Sequence, residues 1–153
     1  MARRQSRVLA LRALFAMEVG RQSPEDAIRH ALEDEPGAFA DYAREICNGI
    51  LAERERIDAL ISRLSRGWSL PRLAVVDRCL LRIAAYELLE QPGIPANAIV
   101  SEAVEIASIY STEEAPRFVN GLLASMAAEL GRPLSERQEN VREEEDAVDG
   151  PDH

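Results

Sequence analysis

Two stretches of this sequence gather side chains that could do chemistry on a ligand, and both suit binding rather than bond making. The first is an N-terminal cluster of Arg3, Arg4, Arg7 and Arg12, a charge of +4 with no acid among residues 1–12. On an α-helix, Arg3, Arg4 and Arg7 fall within about 100° of arc. Phe15 stands eleven residues beyond Arg4, about three turns on, and so projects from the same side. Three cations at a helix N-terminus oppose the macrodipole, at up to about 1 kcal/mol each at low salt, and a polyanion would reverse that sign. Arginine suits such a ligand because its planar fork grips phosphate and its face stacks on bases. A solvated, charged N-terminus would use the same residues.

The second stretch is Pro116-Arg117-Phe118-Val119-Asn120-Gly121. Asn-Gly is a hairpin signal, but LLASMAAEL follows directly and reads as helix. Pro116 then lies at a helix start, with Arg117 and Phe118 in its first turn. Backbone amides and an arginine there would attract an anion, and Phe118 offers a stacking face. The plainer alternative makes Phe118 a core residue and Arg117 a surface one. Gly121 inside a helix costs about 1 kcal/mol against alanine, which predicts close approach of another backbone.

No catalytic constellation emerges. The only histidines are His30 and His153. A His30 base acting on a Cys47 nucleophile can be drawn, but Cys47 falls on an apolar stripe, where a buried inert thiol is expected. Ligand spacing for a metal and Gly-rich phosphate loops are both missing. Glu102 and Glu105 lie three apart on a helix, as solvated or partner-facing acids do. A non-enzyme without metal or cofactor is expected.

The elements that must position these residues read as helices. Residues 6–19 are dense in helix formers and stop at Gly20. Ser23-Pro24-Glu25-Asp26 supplies a cap, an N1 proline and first-turn acids for a helix to about Asp34. Phe39, Tyr42, Ala43, Ile46, Cys47, Ile50 and Leu51, then Ile57, Leu60, Ile61 and Leu64, recur at helical spacing. One long helix, or two in line, therefore reaches about Arg66. Ser69-Leu70-Pro71 opens the next helix, which Pro92-Gly93 ends. Helices over about 96–110 and 115–130 follow, the last stopped by Gly131-Arg132-Pro133. No alternating strand pattern appears, so the fold class is all-α, built of packed helical bundles.

A chain of 153 residues suits one domain with a real core. Aromatic residues make up 5%, so aliphatic side chains must fill that core. Two cysteines form no disulfide framework and suit a reduced, cytoplasmic setting. Arg12 interrupts the apolar stretch at the N-terminus, which argues against a signal peptide. Apolar runs all fall short of the 18 or so residues that span a bilayer. The net charge of −9 argues against nucleic acid only until its placement is considered: residues 133–153 hold two arginines against eight acids, leaving −3 for the rest. That acidic tail lacks apolar periodicity and is expected to be disordered.

Four motifs in this order resemble the NusB family of bacterial transcription antitermination factors. Leu81-Arg82-Ile83-Ala84-Ala85-Tyr86-Glu87-Leu88 is similar to its "LRIAxYEL" helix. Ile94-Pro95 followed by Val100-Ser101-Glu102-Ala103-Val104-Glu105-Ile106-Ala107 is similar to "IP…INEAVELA". Phe118-Val119-Asn120-Gly121 matches "FVNG", and Arg3-Arg4…Arg7…Ala13-Leu14-Phe15 matches the arginine-rich start. Ser101 departs from the usual asparagine, and Phe15 stands where tyrosine is common. The resemblance spans about residues 3–130. It implies two packed three-helix subdomains over residues 1–132, with residues 133–153 as a separate tail. It further implies binding of boxA RNA, pairing with NusE (a small-subunit ribosomal protein), and entry into the RNA polymerase antitermination complex. Carried over by position, the RNA face is Arg3, Arg4, Arg7, Phe15, Arg117 and Phe118, while Asp77 and Glu114 meet the partner. Some relatives form homodimers that hide the RNA face. Two other readings stay open: a helical protein–protein interaction module without RNA, and the front domain of an RNA methyltransferase, for which the chain leaves no room after residue 132.

Overall fold

The computed structural model describes residues 2–66 and 69–135; Met1, Gly67, Trp68 and residues 136–153, with most of the acidic tail, lie outside the described residues. All regular structure among the described residues is helical. In chain order the elements are α1 (Ala2–Val19), α2 (Pro24–Leu32), α3 (Gly37–Ala52), α4 (Arg54–Leu64), a 3₁₀ turn at Leu70–Arg72, α5 (Val75–Glu90), α6 (Ala96–Tyr110) and α7 (Ala115–Glu129). The helix starts follow the sequence rules where those are strongest. At α2, Pro24 occupies the first turn and the Ser23 hydroxyl accepts from the Asp26 N–H at 3.2 Å.

The helices form a bundle of three, α1 with α2 and α3, and a bundle of four, α4 to α7, joined where α5 meets α1 and α3. The second bundle has four helices rather than three because the periodic stretch 38–66 bends at Glu53 (φ −108°, ψ 19°). Hydrogen bonding runs on through the bend, with the Glu53 N–H donating to Gly49 O at 3.0 Å and Ile57 N–H donating to Glu53 O at 2.9 Å. Another boundary shifts as well. The cap-and-proline signal at Ser69–Pro71 produces only the 3₁₀ turn, and α5 starts four residues beyond Pro71, at Val75. The Arg78 guanidinium holds that turn against α5 by donating to the carbonyls of Leu70 (3.2 Å) and Leu73 (3.1 Å).

Every residue of α5 from Asp77 to Leu88 is buried. Four of them carry charge, and a buried charge without a partner is costly, so each must be matched from another element. Arg82 pairs with Asp58 of α4 at 2.8 Å and Glu18 of α1 at 2.5 Å. Arg78 reaches Glu18 at 3.3 Å, Glu87 pairs with Arg7 of α1, and Asp77 accepts from Ser111. Burial raises the Glu18 pKa, but the Arg82 hydrogen bond and the charges of Arg82, Arg78 and Arg54 outweigh it, leaving the carboxyl below its ordinary range. These cross-links fix how the two bundles sit at α5.

Two glycines bear on the packing, Gly49 at a close contact and Gly121 at an open site. A Cβ on Gly49 would lie 2.0 Å from Cε1 of Tyr86, so α3 and α5 meet there only because the side chain is absent. Gly121 is the reverse of its expectation: nothing lies within 4 Å of its would-be Cβ, and no second backbone approaches it. Asn120-Gly121 is part of α7, as LLASMAAEL suggests. Among the described residues, no helix is long and apolar enough to cross a membrane.

Candidate nucleic-acid interface

The three leading arginines do not share one open face. Arg7 is 4% exposed and forms a two-pronged ion pair with Glu87, itself 1% exposed, through Nε at 2.7 Å and Nη2 at 2.9 Å. The expectation that Arg7 contacts RNA is corrected on that ground. Its guanidinium is committed to a carboxylate of the core, and freeing it would strand a buried charge. Arg4 is partly exposed and pairs across to α6, with Glu102 at 2.7 Å and also with Glu105. The hydrogen bond from Arg4, opposed by some burial, lowers the Glu102 pKa. Arg3 is exposed and lies over the Tyr42 ring, 5.2 Å from its centroid, within the reach of a cation–π contact. Arg12 is exposed and makes no ion pair among the described residues.

Phe15 is 39% exposed, a large apolar face left open. It shares a stripe of α1 with Arg4, but Val8 and Leu11 between them are buried. Arg4 and Phe15 therefore lie about 16 Å apart along the axis, at either end of a covered stretch.

At the start of α7, Arg117 is exposed, without an ion pair among the described residues, and Phe118 is half-buried against the core. The expected cradle of free amides is reduced. Ala115 N–H donates to Thr112 O at 3.2 Å, Phe118 N–H donates to Glu114 O at 3.3 Å, and Pro116 has none. The positive charge here resides mainly in the Arg117 side chain.

Of the two acids assigned to a protein partner, Glu114 is exposed and Asp77 is buried. Glu114 is exposed in the turn before α7, close in sequence to the exposed Ile109 and Tyr110. Asp77 is 6% exposed and accepts from the Ser111 hydroxyl at 2.6 Å, so it ties α5 to the end of α6 and is not presented outward.

The enzyme constellation drawn from Cys47 and His30 does not assemble. Burial pushes the Cys47 thiol up to about 12 and Cys79 to about 11, and Cys47 Sγ points to Ala10 O at 4.0 Å. His30 instead meets Gln22 at 3.2 Å on an exposed face of α2. In the sequence, Tyr42 is legible only as one member of an apolar stripe. Its ring does reach the core, but its hydroxyl donates to Glu87 at 2.5 Å. Burial, together with that hydrogen bond and the Glu87 charge, holds the phenol well above its ordinary pKa. A tyrosine on a helix stripe with an arginine arm elsewhere gives no sequence signal for this contact, since Tyr42 and Glu87 are 45 residues apart.

Two helical bundles are locked through a charged buried helix, with exposed Arg3 and Phe15 on α1 and exposed Arg117 beside half-buried Phe118 on α7. The NusB family model matches residues 4–128, and the chain belongs to the NusB family. It is 45% identical to the transcription antitermination protein NusB of Heliobacterium modesticaldum, over 90% of this chain and 68% of that one. The NusB of Symbiobacterium thermophilum is 41% identical over 82% of this chain and 89% of its own length. Among solved structures, T. maritima NusB superposes with a TM-score of 0.79 at 37% identity, covering 90% of this chain and 96% of that one. A structure of antitermination factors NusB and NusE in complex with dsRNA shares the fold, with a TM-score of 0.73 at 24% identity, covering 84% of this chain and 97% of that one.

Proposed function

We propose that this protein is a transcription antitermination factor that works by binding alone, in the cytoplasm where transcription occurs. It takes boxA RNA on Arg3, Arg4, Phe15, Arg117 and Phe118 and pairs with NusE through a surface that includes Glu114. The observation that carries the RNA reading is the exposure of Arg3 and Arg117, two guanidiniums with no carboxylate partner among the described residues, in a chain of net charge −9. Arg4 joins them because exposed ion pairs are worth about 0–1 kcal/mol, so a phosphate displaces Glu105 at little cost. Phe15 and Phe118 supply faces on which unpaired bases stack. Membership of the family supports the role in antitermination, and the exposed Ile109 and Tyr110, a few residues before Glu114 in the chain, offer the partner an apolar footing.

The test is the salt dependence of boxA RNA binding, followed by fluorescence anisotropy with NusE present. Three phosphate contacts to single-stranded RNA give a log–log slope of about −2. Replacing Arg3 and Arg117 together by alanine should flatten that slope by about 1.4. A double variant with the slope of the parent protein rules the RNA surface out and leaves the protein-interaction module.

A further inference from the structure

We propose that Tyr42 is the positioning residue of the RNA surface: its ring carries the Arg3 guanidinium, and its hydroxyl, tied to Glu87, fixes that ring. Arg3 then meets a phosphate already aimed. The inference rests on the RNA reading above and goes further by naming what holds the arm in place.

Three observations converge on it. Arg3 lies on Tyr42 with its charge 5.2 Å from the ring centroid, while remaining exposed. The Tyr42 hydroxyl donates to Glu87 at 2.5 Å, so the ring has a tether at its far end as well as packing at its base. The tether is itself held in place, because Glu87 is 1% exposed and clamped by Nε and Nη2 of Arg7. The chain Arg7–Glu87–Tyr42–Arg3 thus runs from the core of the molecule to its surface. It also assigns Arg7 an indirect part: absent from the RNA face itself, it anchors Arg3 there.

A free arginine side chain samples many rotamers, and part of that freedom is lost on binding. A residue that restricts it beforehand lowers that cost. An ordinary core tyrosine would pack equally well without a cation across its ring. An aliphatic residue there would neither attract the guanidinium nor reach Glu87, whereas phenylalanine would keep the ring face and lose the tether.

The test is a double-mutant cycle on binding of fluorescein-labelled boxA RNA in the presence of NusE, using Arg3→Ala, Tyr42→Leu and both together. Tyr42→Leu should weaken binding about two- to fivefold, the range of an exposed cation–π contact, without changing the salt slope, because the Arg3 charge remains. Arg3→Ala should weaken binding and flatten the slope by about 0.7. The double variant should bind no more weakly than Arg3→Ala alone. Additive losses, or Tyr42→Leu binding like the parent while Arg3→Ala binds worse, overturn the role of Tyr42 and leave the RNA surface intact. If Arg3→Ala itself changes neither affinity nor slope, Arg3 is no RNA contact and both readings of it fall. Should Tyr42→Leu not fold, the parent protein suffices: NMR should show the Arg3 side-chain protons shifted upfield by the ring and still shifted in the RNA complex. Loss of that shift on binding overturns the proposal.

Discussion

Arg7 separates a contact residue from a structural one, and the geometry fixes what its removal should do. Arg7→Ala leaves Glu87 as a carboxylate at 1% exposure that has lost both guanidinium hydrogen bonds and keeps only the Tyr42 hydroxyl. Breaking a buried pair from one side costs about 3–5 kcal/mol. For a domain near 150 residues, that lowers the melting temperature by about 6–20 °C. Replacing both partners with apolar residues of similar length, as in Arg7→Met with Glu87→Leu, removes the stranded charge and should recover most of the loss. Thermal melts followed by circular dichroism measure the first part. The second part is RNA binding at several salt concentrations: the double variant should keep the parent's slope, because Arg7 touches no phosphate. A slope flatter by about 0.7, or an Arg7→Ala protein melting within a degree or two of the parent, would refute the structural assignment.

Two further outcomes follow from the core. Gly49→Ala places a Cβ 2.0 Å from Cε1 of the buried Tyr86, an overpacking that should cost about 1–3 kcal/mol, read as a lower denaturant midpoint. The Glu18 and Glu102 carboxyls have folded pKa values below the ordinary 4.5. Their stabilisation is complete above that value and is lost as pH falls through the lower folded values. Unfolding free energy measured from pH 6 down to pH 3 should therefore decline, with less decline in Glu18→Gln; an identical profile in that variant would remove Glu18 as a contributor.

What the sequence disclosed and what it withheld divide along one physical line. Helix periodicity and stop signals are local, so α2, α6 and α7 lie where Pro, Gly and the apolar spacing put them. The Ser69–Pro71 signal is local too, but a cap and a proline specify only the turn that follows them, not the length of helix beyond. Which charges are paired is not written in local pattern, because the partners lie far along the chain. Arg7 looks like a surface cation until Glu87, 80 residues on, is brought beside it, and Asp77 looks presented until Ser111 closes over it. Those same pairings explain why a helix as buried as α5 can carry Asp77, Arg78, Arg82 and Glu87: Asp77 is matched within its own bundle by Ser111, while Arg78, Arg82 and Glu87 reach Glu18 and Arg7 of α1 and so tie the two bundles together. A shift of α1 along α5 by a single turn, about 5.4 Å, would part Arg7 from Glu87 and Glu18 from Arg82 together. The bundle register is thus set by ion pairs, and through Glu87 and Tyr42 that register reaches Arg3 at the surface. Burying a charge in the arginine cluster is therefore consistent with an RNA surface: Arg7 gives up its own contact and holds the frame on which Arg3 is displayed.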